Sequence, residues 1–144
     1  MNHQQPEPVE KLFASLKEAV SSDFVAYALQ RRAGTDITWL YALGNRNDKY
    51  KRITVRYGKG IAGKVVSTGS PISVDAFPHG IHGKALDYPI MLAEQLVSAY
   101  AVPLFHTSCP KGVLLIGRRK VRPFTEDEKG TVNVFAKEVE RLIM

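Results

Sequence analysis

Tyr57-Gly58-Lys59-Gly60-Ile61-Ala62-Gly63-Lys64-Val65-Val66 decides the reading of this chain. It reads as a strand that leaves through a glycine turn into a short helix. Gly58 and Gly60 permit a tight turn of mixed backbone handedness, and Gly63 puts no side chain where the new helix meets a sheet. A helix begun this way points free N–H groups and the positive end of its dipole at whatever lies in front of it. Two readings stay open at this point. The segment is a cradle for a small anion, or it is a turn whose only task is to pack a helix on a sheet.

Working outward, residues 8–21 carry Val9, Leu12, Phe13, Leu16 and Val20 at helical spacing behind a leading proline. Residues 24–31 and 37–43 are β-rich runs joined through Ala33-Gly34-Thr35-Asp36, which suggests a hairpin, and residues 51–57 alternate as a third strand. The helix expected over 61–67 is followed by a strand at 71–74. Residues 75–87, with Pro78, Gly80 and Gly83, form a loop over whatever lies beneath. A second short helix is expected over 88–95, with Pro89 in its first turn.

The last third is plainer. Residues 98–105 and 112–117 are apolar strands around the turn Thr107-Ser108-Cys109-Pro110-Lys111. Thr125 and Glu128 make a capping box, and Val132, Phe135, Ala136, Val139, Leu142 and Ile143 mark one face of a terminal helix. The expected class is α+β, an α/β sandwich: a helix opens the chain, another closes it, and a central antiparallel sheet lies between. Residues 1–144 make one domain in this reading, with 1–7 a disordered N-terminus. The two end helices both cover one face of the sheet, and an apolar edge left over there could support a homodimer.

Composition narrows the function classes. At 144 residues, 44% hydrophobic and 24% charged, the chain can bury a real core without staples. No apolar run is long enough to span a bilayer, and the first residues lack the basic and apolar regions of a secretory signal. A single cysteine, Cys109, excludes an internal disulfide and a cysteine metal cluster. The expectation is a cytosolic, cytoplasmic protein with no membrane partner. The net charge of +6 gathers at Arg46, Lys49, Lys51, Arg52 and Arg56, and again at Arg118, Arg119, Lys120 and Arg122. Neither group comes with a zinc, helix-turn-helix or RNA-recognition signature, so both read as solvated faces that help draw anions, not as a nucleic-acid surface.

Five motifs then occur in order: Gly58-x-Gly60-Ile61-Ala62-Gly63-Lys64-Val65, Thr68-Gly69-Ser70-Pro71-Ile72-Ser73-Val74, Ser98-Ala99-Tyr100-Ala101-Val102-Pro103-Leu104, Lys111-Gly112-Val113-Leu114-Leu115-Ile116-Gly117 and Phe124-Thr125-x-x-Glu128. Together they resemble a GAF domain over nearly the whole chain. The resemblance implies a central antiparallel sheet with helices on one side and a small-ligand pocket on the other. GAF domains are mostly sensors, so the fold names no ligand. Within that family the chain is similar to stand-alone nitrate receptors that work with an oxygen-sensing histidine kinase. In those receptors backbone amides at two helix starts, with a tryptophan beside them, carry the nitrate contacts. The resemblance thereby implies a ligand site of Trp39, Ile61, Ala62, Tyr88, Pro89 and Ile90. It further implies nitrate as ligand with no cofactor or metal, and a sensor histidine kinase of a two-component system as partner.

Elementary chemistry agrees with that implication. Nitrate is planar, singly charged and weakly hydrated, so a few N–H donors in an apolar surrounding hold it without an arginine. The amides of Ile61 and Ala62 would supply one set of donors, and that of Ile90, with Met91 as a further candidate, the other. Pro89 has no N–H but sets the helix start. Trp39 brings an indole N–H and a flat wall, and Tyr88 a ring. Apolar walls disfavour phosphate and sulfate. The duller alternatives are a core tryptophan bonded to a carbonyl and a plain helix start at Tyr88-Pro89-Ile90.

Enzyme readings fare worse. A GAF enzyme reducing free methionine sulfoxide needs paired reactive cysteines, and bilin attachment needs one in the pocket region; Cys109 stands alone in a hairpin turn. His79 and His82 are spaced like part of a metal site but lie in a glycine loop without companion ligands. His106 and Ser108 lack an orienting third group. The runner-up is a GAF sensor for a purine or a small organic acid.

Overall fold

Val9, Phe13 and Leu16 recur every three or four residues and build the buried stripe of a first helix, α1 (Glu7–Ala19), which buried Val20 continues just past its end. The computed structural model describes residues 7–144. The expectation of a disordered 1–7 therefore lies outside the described residues, save that Glu7 opens α1. The closing helix, α4 (Glu126–Ile143), starts at the capping box read from the sequence. The Thr125 hydroxyl accepts from the Glu128 N–H at 3.1 Å, and the Glu128 carboxylate accepts from the Thr125 N–H at 2.8 Å. Val132, Ala136 and Val139 of α4 join α1 in one cluster against the sheet.

The strands are β1 (Phe24–Gln30), β2 (Asp36–Leu43), β3 (Thr54–Arg56), β4 (Ile72–Val74), β5 (Ser98–His106) and β6 (Cys109–Arg118). They form one six-stranded sheet in the order β3-β2-β1-β6-β5-β4, with every pair antiparallel. The two meanders are joined by β1 against β6 at the centre. The α+β architecture expected from the sequence is the one observed. Two local readings differ. The turn between β5 and β6 is only Thr107-Ser108, both at positive φ (48° and 68°), so Cys109 already pairs with His106 in the ladder. The third strand is short because Asn47 caps a 3-10 turn over Asp48–Arg52, its side chain accepting from the Lys49 N–H at 2.9 Å.

β2 contains the feature that orients the site. Its register against β1 slips between Tyr27 and Ala28, leaving Leu40 as an extra, exposed residue. Before the bulge Ile37 and Trp39 face away from α1 and α4; after it Ala42 does, while Tyr41 and Leu43 turn toward them. That second face is lined at its centre by small side chains, Ala26 and Ala28 on β1 and Ala99 and Ala101 on β5. The space they leave is taken by Trp39 and by two helices, α2 (Gly60–Thr68) and α3 (Pro89–Ala93).

The basic residues are not all solvated faces. Arg118 is fully buried: Nη2 bonds Glu128 Oε2 at 2.8 Å and the Val20 carbonyl, and Nη1 bonds the Arg122 carbonyl at 2.8 Å. Arg119 donates to the Glu94 side chain at 2.8 Å and to its carbonyl at 2.8 Å. The expectation fails here because a guanidinium can satisfy several inward carbonyls at once, which composition cannot register.

Candidate functional site at two converging helix starts

The turn into α2 is the one the glycines foretell. Gly58 and Gly60 have φ of +83° and +64°, and the Gly58 N–H bonds the Gly63 carbonyl at 2.9 Å. A Cβ on Gly63 would collide with the Arg56 carbonyl oxygen at the end of β3, which is why the helix can lie so close to the strand. Lys59 is the N-cap, in an extended conformation and with no side-chain cap bond. The first amides of α2, those of Ile61 and Ala62 among them, are thus left to neither helix nor cap.

The second helix start converges on the first. A Cβ on Gly60 would lie 3.3 Å from the Asp87 carbonyl oxygen and 3.2 Å from Val55 Cγ1. Asp87 directly precedes Tyr88, the N-cap of α3, which likewise makes no side-chain cap bond. α3 is a shorter element than the expected helix over 88–95. Tyr88 stands outside it, and the Met91 N–H is already taken by the Tyr88 carbonyl at 3.1 Å, so Met91 brings no free donor.

Of the six residues picked from the sequence, Trp39, Ile61, Ala62, Tyr88 and Ile90 lie in one buried cluster, each at most 3% exposed. Pro89 is half-buried and lines a cleft outside that cluster. Tyr50, which the sequence did not single out, completes the cluster from the 3-10 turn. Burial, with Asp48 as the next cause, pushes its hydroxyl above the ordinary phenol value and keeps it neutral. Phe77 and Ile81 of the 75–87 segment pack on the cluster from above, and Phe77 is pinned through its N–H to the Val97 carbonyl at 2.8 Å.

Tyr88 is the residue with most connections there. Its hydroxyl donates to the His82 carbonyl at 2.9 Å and accepts from Lys64 Nζ at 3.0 Å, while that ammonium also reaches the His82 carbonyl at 3.3 Å. Lys64 Nζ sits 4.9 Å from the centre of the Tyr88 ring, and Phe77 lies 5.9 Å from it on centroids. Lys64 was missed as a site residue. Its spacing of three from Ile61 puts both on neighbouring faces of α2, but nothing local to it announces Tyr88. His82 takes part through its backbone, not its imidazole. Among the described residues no group of three or more His, Cys, Asp or Glu side chains could hold a metal.

A six-stranded antiparallel sheet between two terminal helices on one face and a buried two-helix site on the other defines a class, and the chain belongs to the GAF domain family, whose model matches residues 8–143. In particular, it is 36% identical to an NreA protein from Staphylococcus aureus mutated in its nitrate-binding site, with a TM-score of 0.73, covering 81% of this chain and 86% of that one. It is 32% identical to the hypothetical protein SA1058 from S. aureus, with a TM-score of 0.76 over 83% of this chain and 99% of that one. A free methionine-R-sulfoxide reductase from Neisseria meningitidis is 22% identical, with a TM-score of 0.74 over 91% and 72% of the chains, a likeness of fold alone. No curated protein matches the chain in sequence. No helix among the described residues is long and apolar enough to cross a membrane.

Proposed function

We propose that this chain is a cytoplasmic nitrate sensor. The observation that carries the reading is the gathering of Trp39, Ile61, Ala62, Tyr88 and Ile90, from three separate elements, into one buried cluster. The likeness to an NreA protein studied for its nitrate-binding site supports it. Nitrate would be held by the amides of Ile61 and Ala62 and by that of Ile90, with the Trp39 indole and the Tyr88 ring as walls and Pro89 setting the second turn. An apolar surrounding suits a singly charged, weakly hydrated anion better than phosphate or sulfate, whose second charge costs more to desolvate. Occupancy would tighten α2, α3 and the 75–87 segment together, and a partner sensor histidine kinase would read the changed surface. No thiol chemistry belongs to this reading, since the one cysteine is exposed on the β5–β6 hairpin, outside the cluster.

Isothermal titration of the protein with sodium nitrate, with sodium sulfate as control, tests the proposal. Saturable binding of about one nitrate per chain, absent with sulfate, is the expected result. A folded protein that takes up no nitrate would sink it and leave a GAF sensor for another small ligand, such as a purine or a small organic acid.

A further inference from the structure

Outside the buried cluster lies a cleft of about 440 Å³, lined among others by Arg56, Lys59, Lys64, His82, Leu86 and Asp87. Three of these are fixed cations, and the acid among them, Asp87, is turned back on its own loop to accept the Lys84 N–H at 3.0 Å. Lys64 makes no ion pair among the described residues; its ammonium is spent on the Tyr88 hydroxyl and the His82 carbonyl. The floor of the cleft is the seam where Gly60 meets Asp87, too close for even a Cβ to fit comfortably. Beyond that seam are the amides of Ile61 and Ala62.

We propose that this cleft is the port through which an inorganic anion reaches the buried site, and that Lys64 both bolts it shut and guides the ion in. The inference rests on the nitrate reading for the identity of the ion, but the bolt does not. The seam is closed, so an ion passes only if residues 82–88 lift. Beside the packing of the Tyr88 ring in the cluster, what holds them is the three-way junction of Lys64 Nζ, Tyr88 Oη and the His82 carbonyl. Lifting releases the ammonium from the carbonyl and presents an uncompensated charge, with Lys59 and Arg56 beside it, to an arriving anion. Closing returns the ammonium to Tyr88. Leu86, 81% exposed at the rim, moves with the segment and would carry the open or closed state to the surface.

Trp39 is the only tryptophan of the chain, so its emission reports on access to the cluster with no label. The bolt is tested without any anion, by amide hydrogen exchange and acrylamide quenching of Trp39 in wild type, Lys64→Met and Lys64→Arg. In Lys64→Met, exchange across residues 79–88 should rise about tenfold and quenching about twofold while α4 is unchanged, with Lys64→Arg near wild type. Unchanged exchange and quenching in Lys64→Met would overturn the bolt. The guiding role is tested by stopped-flow mixing with sodium nitrate at low and high ionic strength. Lys64→Met should flatten the salt dependence of the association rate and raise the dissociation rate about tenfold. An association rate with wild-type salt dependence would overturn the guide. Wild type that binds no nitrate would sink the proposed function and the guide together, while the anion-free experiments still decide the bolt.

Discussion

Trp39 lies directly across the β1–β2 ladder from Ala28, and it does so only because Leu40 is squeezed out as a bulge. Without the slip, the register set by Tyr27 opposite Tyr41 would place Trp39 against Leu29, on the face packed by α1 and α4. The bulge therefore delivers the indole to the α2–α3 face, over the floor of alanines.

Trp39→Phe keeps an aromatic wall and removes the N–H and part of the ring. Nitrate affinity should fall about tenfold or more by titration calorimetry, with a stability loss of about 1–2 kcal/mol in urea unfolding. Unchanged affinity would take Trp39 out of the site.

Gly63→Ala should be costly although it adds one methyl group in a helix. The new Cβ meets the Arg56 carbonyl, a backbone atom that cannot step aside as a side chain would. A loss of about 2–4 kcal/mol is expected in urea unfolding. Gly130→Ala in α4, where nothing lies within 4 Å of the added atom, should be neutral or stabilising by comparison.

Arg118 ties the end of α1 to the start of α4, and Arg118→Met should cost about 3 kcal/mol because it strands the inward carbonyls and Glu128. The pairing also sets a pH dependence. Burial alone would raise the Glu128 carboxyl, but the Thr125 N–H, the Arg118 guanidinium and the Thr125 hydroxyl outweigh it and hold the carboxyl below its ordinary value. A lowered folded-state value means that the stabilisation is present above the unfolded carboxylate range, about pH 4.3, and is lost as pH falls through the folded value. Urea unfolding between pH 6 and pH 3 should show this loss, and Glu128→Gln should reduce its slope.

Glu94, fully buried at the end of α3, accepts from the Arg46 N–H and from Arg119 Nη2, both at 2.8 Å. Glu94→Ala strands the amide and takes the carboxylate from the guanidinium, which keeps its bonds to the Glu94 and Gly44 carbonyls and, being partly exposed, stays hydrated. The expected cost is therefore nearer 2 kcal/mol than the larger penalty of a fully buried pair, read as a lowered midpoint in thermal or urea unfolding.

Much of this was legible in advance where the signal was local. The turn through Gly58 and Gly60, the box at Thr125 and Glu128, and the continuous apolar runs of β1, β5 and β6 each depend on neighbours within a few residues. The 3-10 turn at Asp48–Arg52 escaped because Lys51 onward alternates like a strand while the Asn47 cap that coils it lies upstream. Met91 was misjudged as a donor because its bond to the Tyr88 carbonyl depends on where the first turn begins, a detail finer than spacing resolves.

The amino-acid sequence alone determined the α+β class, the glycine turn that opens α2 and the family, since backbone conformation and burial pattern are written residue by residue. Only the tertiary structure decided which face Trp39 occupies, that Arg118 lies in the core, and that Lys64 meets Tyr88 and the carbonyl of His82. The physical reason is one of range. A bulge needs two strands in register, a buried guanidinium needs carbonyls from distant segments, and a junction between an α2 ammonium and a loop carbonyl exists only once both lie on the same sheet.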